Sequence, residues 1–251
     1  MPRRKSPVRL DWIDPSACTL EYRLKIIGRL PFFRHLPASA IPEINALFHD
    51  RAYPAGQSVY HEGDEAQYLY LIAMGRVKLI RSAAAGREVV LDFLHGGEYF
   101  GNLKALGAAN YAETAVCHTD GCILQISSQD FETILKRHPD VSLKVIQAVG
   151  KRLEESRELI KQLSTSTAEQ RIASALLRLA GRLGEEQQAA VLIQLPFSRQ
   201  DLAAMTGATV ETVSRVMSRF AEDGLIRTGR KWVAVTGRKG LQELVRETAV
   251  N

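Results

Sequence analysis

Three residues, Ala203, Gly207 and Val213, constrain the fold of this chain more than any others. A small residue at 203 lets two helices cross closely. Gly207 permits the sharp turn between them, and Val213 packs the second helix back onto the first. This spacing predicts a helix-turn-helix. Ser198-Arg199-Gln200-Asp201 opens the first helix, with Ser198 as N-cap and Asp201 in the reciprocal position of a capping box. The second helix is expected over Thr209–Phe220, with Leu202, Met205, Val216, Met217 and Phe220 as supporting core. Val191–Leu195 reads as a short strand leading into the pair.

The second helix carries Thr209-Val210-Glu211-Thr212-Val213-Ser214-Arg215, and its outward positions are Val210, Glu211, Ser214 and Arg215. In a major groove, an arginine at 215 could grip guanine O6 and N7, Glu211 could accept from a cytosine amine, and Val210 could touch a thymine methyl. Each residue also has a plainer role. Glu211 sits in a first turn, where the helix dipole favours an acid, and Arg215 stands at the right spacing to pair with it. The turn spacing and the segment that follows favour DNA contact. That segment, Gly224–Val235, reads as two strands around a basic turn, a wing with Arg230 and Lys231 at its tip to meet phosphates; the alternative is a solvated hairpin. Charge agrees with a polyanionic partner. The chain carries +5, and Ser166–Asn251 holds twelve Lys/Arg against nine Asp/Glu.

Upstream, residues 1–24 read as a tail whose start, Met1-Pro2-Arg3-Arg4-Lys5, is basic. A short helical segment with Phe32, Phe33 and Leu36 precedes Pro37, and Ala38–Phe48 reads as a helix with Ile41, Ile44, Leu47 and Phe48 on one face. From about Ala52 to Ser127, short apolar runs alternate with glycines: Tyr68–Ile72, Arg76–Leu79, Val89–Leu94, Ala115–Cys117 and Ile123–Ile126. Many short strands at such spacing predict an antiparallel sandwich or barrel. A long helix then opens at Pro139. Its apolar stripe, Ile146, Val149, Leu153, Ser156, Ile160 and Leu163, follows a heptad-like rhythm on an otherwise charged surface. Such a stripe needs a partner. A symmetric dimer is the favoured reading, and packing on the chain's own β domain is the alternative. Thr167 with Gln170 resembles a capping box that starts another amphipathic helix, ending near Gly181. The expected architecture is α+β: tail 1–24, β-roll 25–138, dimer helix 139–165 and winged helix-turn-helix 166–251.

No apolar stretch is long enough to span a bilayer, and no signal core follows the basic start, so the cytoplasm is the expected location. Cys18, Cys117 and Cys122 form no CxxC pair and read as reduced thiols, with nothing in their spacing to mark a redox site.

In this order, the parts resemble the Crp/Fnr family of bacterial transcription regulators over roughly residues 25–240. The β-roll signature is visible as Gly63-Asp64-Glu65, Gly75-Arg76-Val77, Gly86-Arg87-Glu88, Gly97-Glu98-Tyr99-Phe100-Gly101 and Ala115-Val116. The resemblance implies a homodimer that binds a pseudo-palindrome, works with RNA polymerase and has no membrane role. Val210 through Arg215 look like the Fnr-type recognition helix, since the cAMP-receptor type has Arg at the place of Val210 and Gly at that of Ser214. A half-site near TTGAT is thereby implied, with Glu211, Ser214 and Arg215 reading bases. Thr209 and Thr212 belong to the same recognition segment, and Arg199 and Gln200 fall at family positions near the phosphate backbone.

The sensor end departs from the family. Where cAMP-binding members have Gly-Glu-Leu, this chain has Gly101-Asn102-Leu103, and their Arg-Ser pair falls on Ala112-Glu113. Alanine cannot pair with a phosphate, and Glu113 would repel one, so cyclic-nucleotide sensing by that chemistry is not expected. Cys18 alone cannot supply an N-terminal iron–sulfur cluster. Haem stays open, with His35, His49, His61, His95, His118 and Cys117 as candidate ligands and no pair marked by spacing. Binding DNA without any effector is an alternative. Two other functional classes fit the sequence less well. No P-loop, GxSxG or HExxH string marks an enzyme, and His61-Glu62-Gly63-Asp64-Glu65 reads as turn chemistry. A regulatory module without DNA function would have no use for the winged helix-turn-helix.

Overall fold

The computed structural model describes residues 7–8, 18–83 and 86–246, so the basic start of the expected tail lies outside the described residues. The chain forms two compact units that divide at Glu155/Ser156.

The first unit is a β-roll of eight antiparallel strands in two sheets. The strands are β1 His49–Tyr53, β2 Ser58–Tyr60, β3 Tyr68–Met74, β4 Arg76–Ser82, β5 Glu88–His95, β6 Tyr99–Gly101, β7 Thr114–Cys117 and β8 Gly121–Ser127. One sheet has the order β1-β8-β3-β6 and the other β2-β7-β4-β5. Period two sorts the side chains of β3 and β8 between two cores. Leu69, Leu71 and Ala73 of β3, with Cys122, Leu124 and Ile126 of β8, face a helical layer. Tyr70, Ile72 and Ile123 point instead into the space between the sheets. Strands buried on both faces read as unbroken apolar runs, which is why these two were the plainest in the sequence.

The helical layer consists of α1 Leu20–Gly28, α2 Ile41–Ala46, α3 Ser128–Arg137 and the start of α4 Pro139–Thr165. α1 begins before the expected end of the tail at residue 24. Thr19 caps it by accepting from the Tyr22 amide, and Ile26 and Ile27 are buried. Two other segments differ from expectation. Phe32, Phe33 and Leu36 lie in consecutive turns, with the Phe33 amide bonded to Leu30 O at 2.9 Å and the Leu36 amide to Phe33 O at 2.9 Å. The helix expected over Ala38–Phe48 is a short 3-10 turn, Ala38–Ala40, followed by α2. α3, β1, β2 and β6 went unread, because they are short or largely polar. α4 has the expected bounds. Val141 and Val145 bury one face of it in the roll, and Arg152 lies over the Tyr99 ring at 4.0 Å while donating to Tyr99 O at 2.7 Å.

The second unit contains α5 Ala168–Leu183, α6 Arg199–Thr206, α7 Val210–Glu222 and α8 Arg238–Arg246 around a sheet of order β11-β12-β10-β9. Its strands are β9 Gly184–Gln187, β10 Ala190–Ile193, β11 Ile226–Gly229 and β12 Trp232–Val235. Both expected capping boxes form, Thr167 with Gln170 and Ser198 with Asp201. α5 runs two residues past Gly181, and β9 and α8 were not foreseen. No helix among the described residues is long and apolar enough to cross a membrane.

Candidate nucleic-acid interface

The helix-turn-helix forms as its spacing requires. α6 ends on Gly207 in the left-handed conformation, φ 65°, which a side chain would disfavour, and the Ala208 amide turns back to Ala203 O. Ala203 is buried at the crossing, and Val213 is fully buried beneath it with Met217 and Phe220. Arg171 of α5 ties the pair to its support, donating through Nε to Thr206 O and through its guanidinium to Ser166 O, both at 2.7 Å. At the far end of α7, Arg219 forms an ion pair with Glu169 in the first turn of α5. Neither the Arg171–Thr206 bond nor the Arg219–Glu169 pair was visible in the sequence, since each joins residues 35 or more apart in the chain.

With these faces buried, α7 presents Val210, Glu211 and Arg215 to solvent, and Ser214 is half-exposed. Val210 is 46% exposed, a large share for a valine. Glu211 and Arg215 make no hydrogen bond or ion pair among the described residues, so the plainer reading of them as an i, i+4 pair does not hold. Thr209 and Thr212 have a different role. Thr209 Oγ1 accepts from the Thr212 amide at 3.1 Å and donates to Thr212 Oγ1 at 3.0 Å, so the two hydroxyls cap the helix and set where it starts. Gln200 is exposed in the first turn of α6, while Arg199 is half-buried, and desolvation pulls its pKa below the usual arginine range. Arg230 and Lys231 form the exposed tip of the β11–β12 hairpin, with Lys231 at φ 58°.

In the roll, two of the five expected effector residues, Gly101 and Glu113, lie against an aromatic stack. Tyr60 and Tyr111 stack at 3.8 Å, and Tyr70 and Phe100 at 5.2 Å, between the sheets. Gly101 ends β6 at φ 83°, and a Cβ there would lie 3.0 Å from the Tyr70 ring and 3.2 Å from Tyr68 O. Leu103 is fully buried in the helical-layer core, and Asn102 is exposed. Ala112 is exposed, and the neighbouring Glu113 accepts from the Tyr60 hydroxyl at 2.9 Å. Burial together with the Glu113 charge pushes the Tyr60 pKa up, so the phenol stays a donor. Among the described residues, no three His, Cys, Asp or Glu side chains converge to hold a metal ion. Cys117 is buried between the sheets, its thiol pushed up to about 12 by desolvation.

Comparisons with known proteins agree with both halves. Residues 50–138 match the family described as Cyclic nucleotide-binding domain. Residues 170–244 match the Crp-like helix-turn-helix domain. The Cyclic AMP receptor protein of Thermus thermophilus is 33% identical over 214 residues, covering 85% of this chain and 96% of that protein. Among solved structures, FixK2 from Bradyrhizobium japonicum superposes with a TM-score of 0.71 at 24% identity, over 78% of this chain and 96% of that one. The regulator CLP of Xanthomonas campestris, described as c-di-GMP responsive, gives 0.69 at 24% identity, over 80% of this chain and all of that one (100%). At such identities, these two structures speak for the fold.

Proposed function

The chain belongs to the CRP/FNR family of transcription regulators, with a cyclic nucleotide-binding-type roll and a Crp-like DNA-binding domain, and from that premise we propose that it acts as a homodimer reading a palindrome of TTGAT-like half-sites. The observation that carries this reading is the pair of exposed, unengaged charges on α7. Glu211 and Arg215 stand one turn apart beside an exposed Val210, on a helix whose other faces are buried. A helix held this way can give its first two turns to base edges. Arg199 and Gln200, at the start of α6, and Arg230 and Lys231, at the wing tip, would meet the phosphates on either side. A two-fold dimer through α4 would present two such helices to two half-sites, in a bacterial cytoplasm and beside RNA polymerase. The domain division that goes with this reading has the roll to residue 138, the dimer helix to 165 and the DNA-binding domain beyond.

A gel shift on a TTGAT-N4-ATCAA duplex tests it. Binding should be tight and salt-dependent, and weak on a scrambled duplex; equal affinity for both would remove the sequence-specific reading. Two variants separate the contacts. Arg215→Ala should lower discrimination at one base position by about 1–3 kcal/mol. Lys231→Ala should weaken every sequence alike and reduce the slope of log affinity against log salt by about one.

The bond from Tyr60 to Glu113 supports a roll that does not hold a cyclic phosphate in the usual way. It keeps a carboxylate next to Ala112, the position at which the resemblance would have the phosphate-pairing arginine. Calorimetric titration of the purified protein with cAMP should give no saturable heat, and DNA affinity should be the same with and without the nucleotide. Saturable binding at micromolar cAMP would show that another cation serves the phosphate.

A further inference from the structure

A single side chain joins the end of α4 to the turn of the helix-turn-helix. Arg171 donates through Nε to Thr206 O and through Nη1 to Ser166 O, both at 2.7 Å. Thr206 is the last residue of α6, and Ser166 continues the last turn of α4, with its amide bonded to Gln162 O at 3.0 Å. The carbonyls at a helix C-terminus have no partner within the helix and carry its negative partial charge. One planar cation thus closes the ends of two helices at once.

A second bond runs beside it. Ser174 Oγ of α5 donates to Gln162 Oε1 of α4 at 3.0 Å. Apolar packing adds little at this junction. The buried residues of α4 are Val141 and Val145, both near its start, and Leu163 in its last turn is 46% exposed. The last turns of α4 are therefore held to the DNA-binding helices mainly by directed polar bonds, and a charged fork fixes geometry as well as distance. The far side of the junction is rigid. Thr206 is 2% exposed, its Oγ1 donates to Leu202 O at 2.8 Å, and the left-handed Gly207 follows. Thr209, the N-cap of α7, comes three residues after Thr206, so what holds Thr206 also sets where α7 begins.

We propose that Arg171, supported by the Ser174–Gln162 bond, is a positioning residue that sets the half-site spacing this protein accepts, without touching DNA itself. This rests on the reading of the chain as an α4 dimer on a palindrome. In such a dimer each recognition helix is carried on the far side of its own Arg171 junction. Each base pair added between the half-sites moves them apart by about 3.4 Å and turns them by about a tenth of a turn, because a turn of duplex is about 34 Å and 10 base pairs. A junction held by two bonds from one planar fork cannot follow that change. Lysine keeps the charge but is a point donor on a flexible stem, so it cannot hold both carbonyls in one geometry. A junction released in this way can swing to reach more than one spacing.

Gel shifts of the full-length protein on TTGAT and ATCAA half-sites separated by three to six base pairs, at several salt concentrations, test the proposal. The unaltered protein should favour one spacer over its neighbours by roughly 10²-fold, the lower end of what is lost when two linked sites cannot be engaged together. In Arg171→Lys and Arg171→Ala that ratio should fall to about tenfold or less. Ser174→Ala, a milder change at a half-buried position, should move it in the same direction. Thermal unfolding shows which variants are folded. Two readouts separate positioning from DNA contact. Discrimination against a one-base mismatch within a half-site should keep its value, since α7 keeps its own side chains. On the best spacer, the slope of log affinity against log salt should also stay the same; a drop of about one would make Arg171 a phosphate contact and overturn the proposal. If the unaltered protein binds the palindrome and a scrambled duplex alike, the palindrome reading falls and the spacing role with it. If it favours the palindrome, and folded Arg171→Lys and Ser174→Ala keep its spacer ratio, the role of Arg171 alone is overturned.

Discussion

Leu153→Arg is expected to give a folded monomer whose affinity for the palindromic duplex is lower by a factor of roughly 10²–10⁴, the advantage normally gained by linking two binding events. Leu153 is one of five apolar residues on the α4 stripe, with Ile146, Val149, Ile160 and Leu163, that are 46–67% exposed. A side chain already facing water can become charged at little cost to the folded chain. The opposite face of α4 keeps its hold on the roll through Val141, Val145 and the Arg152–Tyr99 contact. In a two-fold dimer the same position would meet its own copy, so one substitution removes two leucines from the seam and places two like charges across it. Light scattering with size exclusion gives the mass and a gel shift gives the affinity. A dimer of unchanged affinity would mean that the stripe is covered by something other than a second copy.

Leu143, also on α4 and 61% exposed, widens the stripe at its start. The sequence reading missed it because Val141 and Val145, on either side, are turned into the roll and blur the period. The recognition unit was the easiest part to read, because a helix-turn-helix depends on short-range chemistry. Ser198, Asp201, Gly207 and Thr209 each act within a few residues of themselves, and each does what its type and position required. β3 and β8 were legible because burial on both faces leaves them little but apolar residues. β1, with four of its five residues exposed, carries no such mark and exists through its pairing with β8. The Tyr60–Glu113 bond and the Arg219–Glu169 ion pair join residues 50 or more apart, so no local pattern could announce them. At the effector residues, the departures at Asn102, Ala112 and Glu113 could be read as losses; that a tyrosine occupies the glutamate only the fold could say.

Phe33→Ala is expected to destabilise the protein by about 3–5 kcal/mol, the usual range for emptying an aromatic site in a core. Phe33 is fully buried. Its ring meets Phe32 edge-on at 4.7 Å and Phe131 of α3 at 6.4 Å, and Phe32 in turn meets Tyr99 of β6 at 5.1 Å. The turns that carry Phe33 are held by their own backbone bonds, and the surrounding rings are anchored in two other elements, α3 and β6, so the gap cannot close by a single shift. Denaturant unfolding followed by the far-ultraviolet signal measures the loss, with the slope checked for a change in the denatured state. A loss below about 1 kcal/mol would mean that the site collapses around the smaller side chain. The sequence placed Phe32, Phe33 and Leu36 on a helix, and the backbone there is turns instead. Three large apolar side chains within five residues must be buried whichever backbone carries them. What they demand is a site, and here α3 and β6 supply it.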